Sequence, residues 1–94
     1  MRVLGTGKLN DFCLKHKVAS GQAKAWLSEA KAAEWKTPHC IKNRYSNASI
    51  LHDDIVIFNI KGNHYRLVTK VAYGTQTVLI KWLGTHAAYD KKVW

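Results

Sequence analysis

Hydrophobic positions change their period near the middle of this chain. Before Pro38 they recur every three or four residues; after it they alternate or run together. Leu9, Phe12, Cys13 and His16 fall at helical spacing and predict a helix over 7–17. Ser20-Gly21 interrupts the pattern, and Ser20 is suited to cap a second helix. Ala23, Trp26, Leu27, Ala30 and Ala33 mark one face of that helix over 21–35, with Lys24, Glu29, Lys31 and Glu34 mostly off that face. Thr37-Pro38 ends it, because the residue before a proline disfavours helical backbone. Ahead of both helices, Arg2-Val3-Leu4 predicts a short first strand, and Gly5-Thr6-Gly7 a turn with Thr6 as helix cap.

The stretch 39–47 reads as a loop, with Asn43, Ser46 and Asn47 as turn formers. β-Branched residues then take over. A weak strand is expected over 48–52, followed by a tight turn at Asp53-Asp54. Residues 55–60 are nearly apolar throughout, which predicts a central strand covered on both faces. Lys61-Gly62-Asn63 turns the chain into a strand over 64–73, and Gly74-Thr75-Gln76 into another over 77–83. The order is a short first strand, two helices, then a meander of about four antiparallel strands. It predicts an α+β domain with its helices gathered on one face of a mainly antiparallel sheet. The opposite face is left partly open, and a ligand would sit there.

Length and charge narrow the class. A chain of 94 residues is expected to be one domain, 1–94. It carries 15 Lys+Arg against 6 Asp+Glu, for a net charge of +9, spread along the whole length. Such a field draws in polyanions. Cys13 and Cys40 are too few for a disulfide framework and form no C-x-x-C pair, so reduced thiols and a cytoplasmic setting are expected. No apolar run approaches the ~20 residues that span a bilayer. No two histidines have ligand spacing on one element, so neither a metal nor a cofactor is expected.

Candidate chemistry clusters in the last third. Side chains alternate along a strand, so His64, Arg66, Val68 and Lys70 share one face and Tyr65, Leu67, Thr69 and Val71 the other. Arg66 can hold two phosphate oxygens through its planar fork, and Lys70 adds a point charge. Lys81 would join the cationic face in one of its two registers. After the last strand, Gly84-Thr85-His86-Ala87-Ala88-Tyr89-Asp90 supplies an imidazole able to move a proton near neutral pH. Tyr89 follows three residues later, on the same side if the tail makes a helical turn. Each of these has a plain structural reading as well. Strand cations deter edge pairing, His86 would cap a helix, and Tyr89 would seal the edge of the core. Their coincidence on a basic chain favours chemistry.

The run Phe58-Asn59-Ile60-x-Gly62-Asn63-x-Tyr65-Arg66-Leu67-Val68, followed by Thr85-His86-x-x-Tyr89-Asp90, resembles the HigB toxins of the RelE/ParE superfamily. The resemblance covers roughly residues 55–90. It implies a RelE-like fold with a curved sheet and a ribosome-dependent mRNA endonuclease acting in the ribosomal A site. It also implies neutralisation by a HigA-type helix-turn-helix antitoxin, with operator DNA bound through the complex. By position, Arg66 would contact the scissile phosphate, His86 would match the active-site histidine or arginine, and Tyr89 would assist, with Lys61, Lys70 and Lys81 as further RNA contacts. Lys42, Arg44 and His52 occupy a segment from which related toxins also draw active-site groups. Two rival functions share the evidence of charge: a ParE-like poison of DNA gyrase, and a non-catalytic nucleic-acid-binding module.

Overall fold

The computed structural model describes residues 1–62 and 64–91; Asn63, in the predicted hairpin turn, and Lys92, Val93 and Trp94 lie outside them. In chain order the elements are β1 (Arg2–Leu4), α1 (Thr6–Lys15), α2 (Lys17–Ala32), α3 (Pro38–Arg44), β2 (Ser49–Ile50), β3 (Ile55–Ile60), β4 (Tyr65–Ala72), β5 (Thr77–Thr85) and α4 (His86–Asp90). The strands form one sheet in the order β1-β5-β4-β3-β2. β1 runs parallel to β5, and the other neighbours are antiparallel. The architecture is the expected α+β arrangement, with β4 rather than β3 at the centre.

α1, α2 and α3 cover one face of the sheet because their apolar residues meet alternate residues of the strands. Leu9 and Phe12 from α1, and Ala23, Trp26 and Ala30 from α2, share a buried cluster with Val56, Phe58, Leu67, Val71, Val78 and Ile80. Phe58 lies at its centre, with the rings of Trp26 and Tyr45 each 5.2 Å away and Trp35 stacked at 6.0 Å. A smaller cluster forms on the opposite face, where Ile55, Ile57 and Val68 pack beneath Leu51, Trp82 and Tyr89. β3 is therefore covered on both faces, as its unbroken apolar run requires.

Three local expectations are corrected. Ser20-Gly21 does not interrupt a helix. α1 ends at His16, and α2 runs straight through Ser20, whose hydroxyl donates to the Lys17 carbonyl at 2.9 Å. The break falls at His16 because its ring packs between Phe12 and Tyr65, with centroids at 4.8 and 5.0 Å. Residues 39–47 are not simply a loop either. Pro38 opens the short helix α3, at a position where its missing N–H is no loss. Ile41 then anchors that helix in the core, fully buried. Thr6 is likewise the first residue of α1 rather than its cap; Gly5 precedes it in the left-handed region.

The Asp53-Asp54 turn has both residues at positive φ, the conformation that closes a tight hairpin with the right twist.

Candidate functional site

The site grows from the pairing of β4 with β5. Arg66 lies opposite Gly84 on one side and Asn59 on the other. Two residues further along β4, Val68 lies opposite Trp82. The Trp82 ring folds back over Gly84; a Cβ at Gly84 would stand 2.6 Å from Trp82 Cζ2. Glycine there lets the indole lie flat on the strand beside Arg66.

α4 completes the arrangement. Thr85 caps it by accepting a hydrogen bond from the Ala88 N–H at 3.1 Å. The His86 N–H donates to the His64 carbonyl at 2.9 Å, which ties the start of the helix to the β3–β4 hairpin. One turn on, Tyr89 lies against Trp82, with ring centres 6.3 Å apart. The Arg66 guanidinium stands 5.9 Å from the Tyr89 ring centre. At that separation a cation–π contact contributes roughly 0.5–1 kcal/mol. A bidentate bond to phosphate is stronger, so the ring positions the fork without competing with an anion for it.

His86 is half-exposed, but its Nδ1 is enclosed and makes no hydrogen bond among the described residues. Asp90 Oδ1 lies 3.3 Å from it, one helical turn away. The carboxylate therefore faces Nδ1 rather than Nε2. The chemistry assembled here is a guanidinium for anionic oxygens, an imidazole for protons and two aromatic surfaces for a base.

The remaining predicted residues separate. Lys70 shares the face of Arg66, opposite Ile55 and Leu79. Four residues of strand put it ~13 Å away, too far to grip the same phosphate. Lys61 sits in the hairpin turn at φ 54°, its N–H donating to Gln22 Oε1. His64 is exposed in the same turn, with its ring 6.5 Å from Tyr65. Lys81 does not join the Arg66 face. Val68 pairs with Trp82 and Thr69 with Ile80, so Lys81 is the extra residue of a β-bulge. The bulge re-aims its side chain, and it lines a groove with α1 residues instead.

Lys42 and Arg44 ahead of β2, and His52 between β2 and β3, have neighbours of their own. Lys42 donates to the Ser46 and Ala48 carbonyls, both at 2.8 Å. Arg44 pairs with Glu29 and lies 4.8 Å from the centre of the Tyr45 ring. His52 is 3.9 Å from Asp53. Trp82 and Asp90 are the two residues that sequence reasoning passes over as site components. The usable signals were the i, i+4 spacing of Asp90 from His86 and the glycine two residues after Trp82. Among the described residues no group of three or more His, Cys, Asp or Glu is placed to hold a metal ion.

Helices on one face of a mixed sheet, and a short helix folded onto the other beside a strand arginine, define a RelE-like α+β protein. Comparison with protein families agrees: the family described as HigB_toxin, the RelE-like toxic component of a toxin–antitoxin system, matches residues 19–92. The chain belongs to this family, and the match takes in all of α3, α4 and β2–β5. No curated protein matches it at a significant level. Membership implies an antitoxin partner. No helix among the described residues is long and apolar enough to cross a membrane.

Proposed function

We propose that this toxin is a ribosome-dependent mRNA endonuclease that works by attack of a ribose 2′-hydroxyl on the adjacent phosphorus. The new O–P bond forms as the bond to the 5′-oxygen breaks, giving a 2′,3′-cyclic phosphate and a 5′-hydroxyl. One proton leaves the 2′-oxygen and one reaches the departing 5′-oxygen. The observation that carries this reading is the seating of α4 across β4 and β5, with Tyr89 5.9 Å from the Arg66 guanidinium and His86 one turn before it. Arg66 stabilises charge on the phosphorane; removing one such preorganised donor commonly costs 10²–10³-fold in rate, roughly 3–4 kcal/mol. His86, through Nε2, is the group for proton transfer, and Asp90 orients it. Tyr89 and Trp82 offer faces on which a splayed base stacks. The ribosome supplies alignment by holding the mRNA, an entropic contribution that a protein this small need not make.

The antitoxin is read as HigA-type, a helix-turn-helix protein through which the complex reaches operator DNA. A ribosomal target places the toxin in the cytoplasm, in keeping with its free cysteines Cys13 and Cys40. An adjacent reading frame encoding a small helix-turn-helix protein is the expected genomic context.

The test is primer extension on translated mRNA with wild type, Arg66→Ala and His86→Ala. Arg66→Ala should cut at least 100-fold more slowly, and His86→Ala should also be severely impaired. Undiminished cutting by folded Arg66→Ala removes the arginine from the mechanism. Wild-type activity on supercoiling by DNA gyrase, with no cleavage of mRNA, replaces the nuclease reading with the ParE-like one.

A further inference from the structure

The bulge at Lys81 leads to a second cationic site. A groove of about 420 Å³ runs between α1 and β5, and Lys8, Lys15, His16, Lys81 and Trp82 line it. Lys8 and Lys15 are seven residues apart on α1, two turns along one helical face. Lys8 also ties the helix to the bulge, its ammonium donating to the Lys81 carbonyl at 3.1 Å. That bond uses one of three ammonium donors. A single acid, Asp11, lies between the lysines in the same groove, so the lining is net cationic. His16 is held in the wall by its tilted packing against Phe12 and Tyr65.

Trp82 belongs to both places. It lines this groove, and its ring also lies on Gly84 and beside Tyr89. Lys81 is three strand residues from Gly84, the partner of Arg66, a distance of ~10 Å. That is too far for the phosphate at Arg66 and suitable for neighbouring linkages on the same strand. A regular strand would have kept Lys81 in alternation; the extra residue turns it toward α1. We propose that the α1–β5 groove is a backbone subsite for the RNA flanking the cut, with Lys8, Lys15 and Lys81 as its phosphate contacts and Trp82 as the step between the two sites. The proposal rests on the ribonuclease reading above.

The test measures binding apart from cleavage. Fluorescence anisotropy would follow two non-cleavable 2′-O-methyl RNAs at low salt, a dinucleotide that fills only the Arg66 site and a longer oligonucleotide of about seven nucleotides, on the scale of single-strand binding sites. The Lys8→Ala/Lys15→Ala/Lys81→Ala variant should bind the longer RNA at least 10-fold more weakly and the dinucleotide as wild type does. Its salt dependence should fall by about 0.7 log unit for each phosphate-binding lysine removed. Lys15→Glu alone, which leaves the Lys8–Lys81 tie in place, should move the longer RNA in the same direction. Equal affinity and equal salt slope for the longer RNA in both variants overturns the subsite, as does equal weakening of both RNAs. Cleavage by the wild type separates the two ideas: if it cuts no translated mRNA while the lysine variants bind the longer RNA weakly, the nuclease reading fails and the groove stands as a binding site.

Discussion

Two clusters in this protein are built from the same residue types and end in different states. Between α2 and α3, Glu29 accepts from the Arg44 guanidinium through one carboxylate oxygen and from the Tyr45 hydroxyl through the other. Between β4 and α4, Arg66 and Tyr89 meet through the face of a ring, and the carboxylate of Asp90 is turned toward His86 instead. In the first cluster arginine, tyrosine and carboxylate neutralise and bond one another, and the assembly works as a clasp. In the second, the carboxylate addresses an imidazole, and the guanidinium lies against an aromatic face. Residue type alone does not set the arrangement; the partner that each carboxylate faces does.

The strongest test of that contrast is to make the same substitution in both clusters. Arg66→Lys keeps the charge and removes the fork. It should slow translation-coupled cleavage by about 100-fold and leave the thermal midpoint nearly unchanged. Arg44→Lys should do the reverse, with normal cleavage and a slightly lowered midpoint. Equal effects of the two on cleavage would mean that the clusters do not differ in function. A smaller effect is expected from Gly84→Ala, because the added Cβ would stand 2.6 Å from Trp82 Cζ2 and the indole would have to shift. Displacing Trp82 disturbs its contact with Tyr89. Cleavage should fall roughly 10-fold, with an overpacking cost of about 1–3 kcal/mol in urea unfolding. A second change, Trp82→Leu, should relieve the clash and restore stability but not cleavage.

Most of the fold can be read from the chain because periodicity is a local property. The change near Pro38 separates helices from strands, and the short loops between strands define the meander. α3 escapes such a reading, since seven residues with one buried side chain, Ile41, carry no period of their own. The proline that signals the end of one helix also begins the next. In the site, Arg66, His86 and Tyr89 stand out by type and order. The face of Lys81 does not, because a bulge is decided by how two distant strands pair. Trp82 in a strand reads as core, and only the ring lying on Gly84 reveals its second role. Lys70 shows the opposite limit: alternation assigns its face correctly but says nothing of the ~13 Å that separate it from Arg66.

The smallest effects test whether the first cluster is only a clasp, and pH reads them with a definite sign. The Tyr45 hydroxyl, and then Arg44, hold the Glu29 carboxyl below its ordinary range. Its folded pKa is therefore lower than its unfolded one, so the unfolded chain binds more protons. The stability it contributes is complete above the unfolded value of about 4.3 and is lost as pH falls through the folded value. Burial, and then the bond to Glu29, push the Tyr45 hydroxyl up. That contribution is complete below about pH 10 and is lost as pH rises beyond it, because only the unfolded chain then releases the phenolic proton readily. Tyr45→Phe keeps the ring against Phe58 and deletes the bond. It should cost about 1 kcal/mol at pH 7, a fall of about 4–8 °C in midpoint for a chain of this size. It should flatten the alkaline loss of stability above about pH 10 and weaken the acid loss below about pH 4, and it should leave mRNA cleavage unchanged. Urea midpoints across that pH range provide the measurement, and a Tyr45→Phe toxin that folds normally but no longer cuts would move this cluster from architecture into the mechanism.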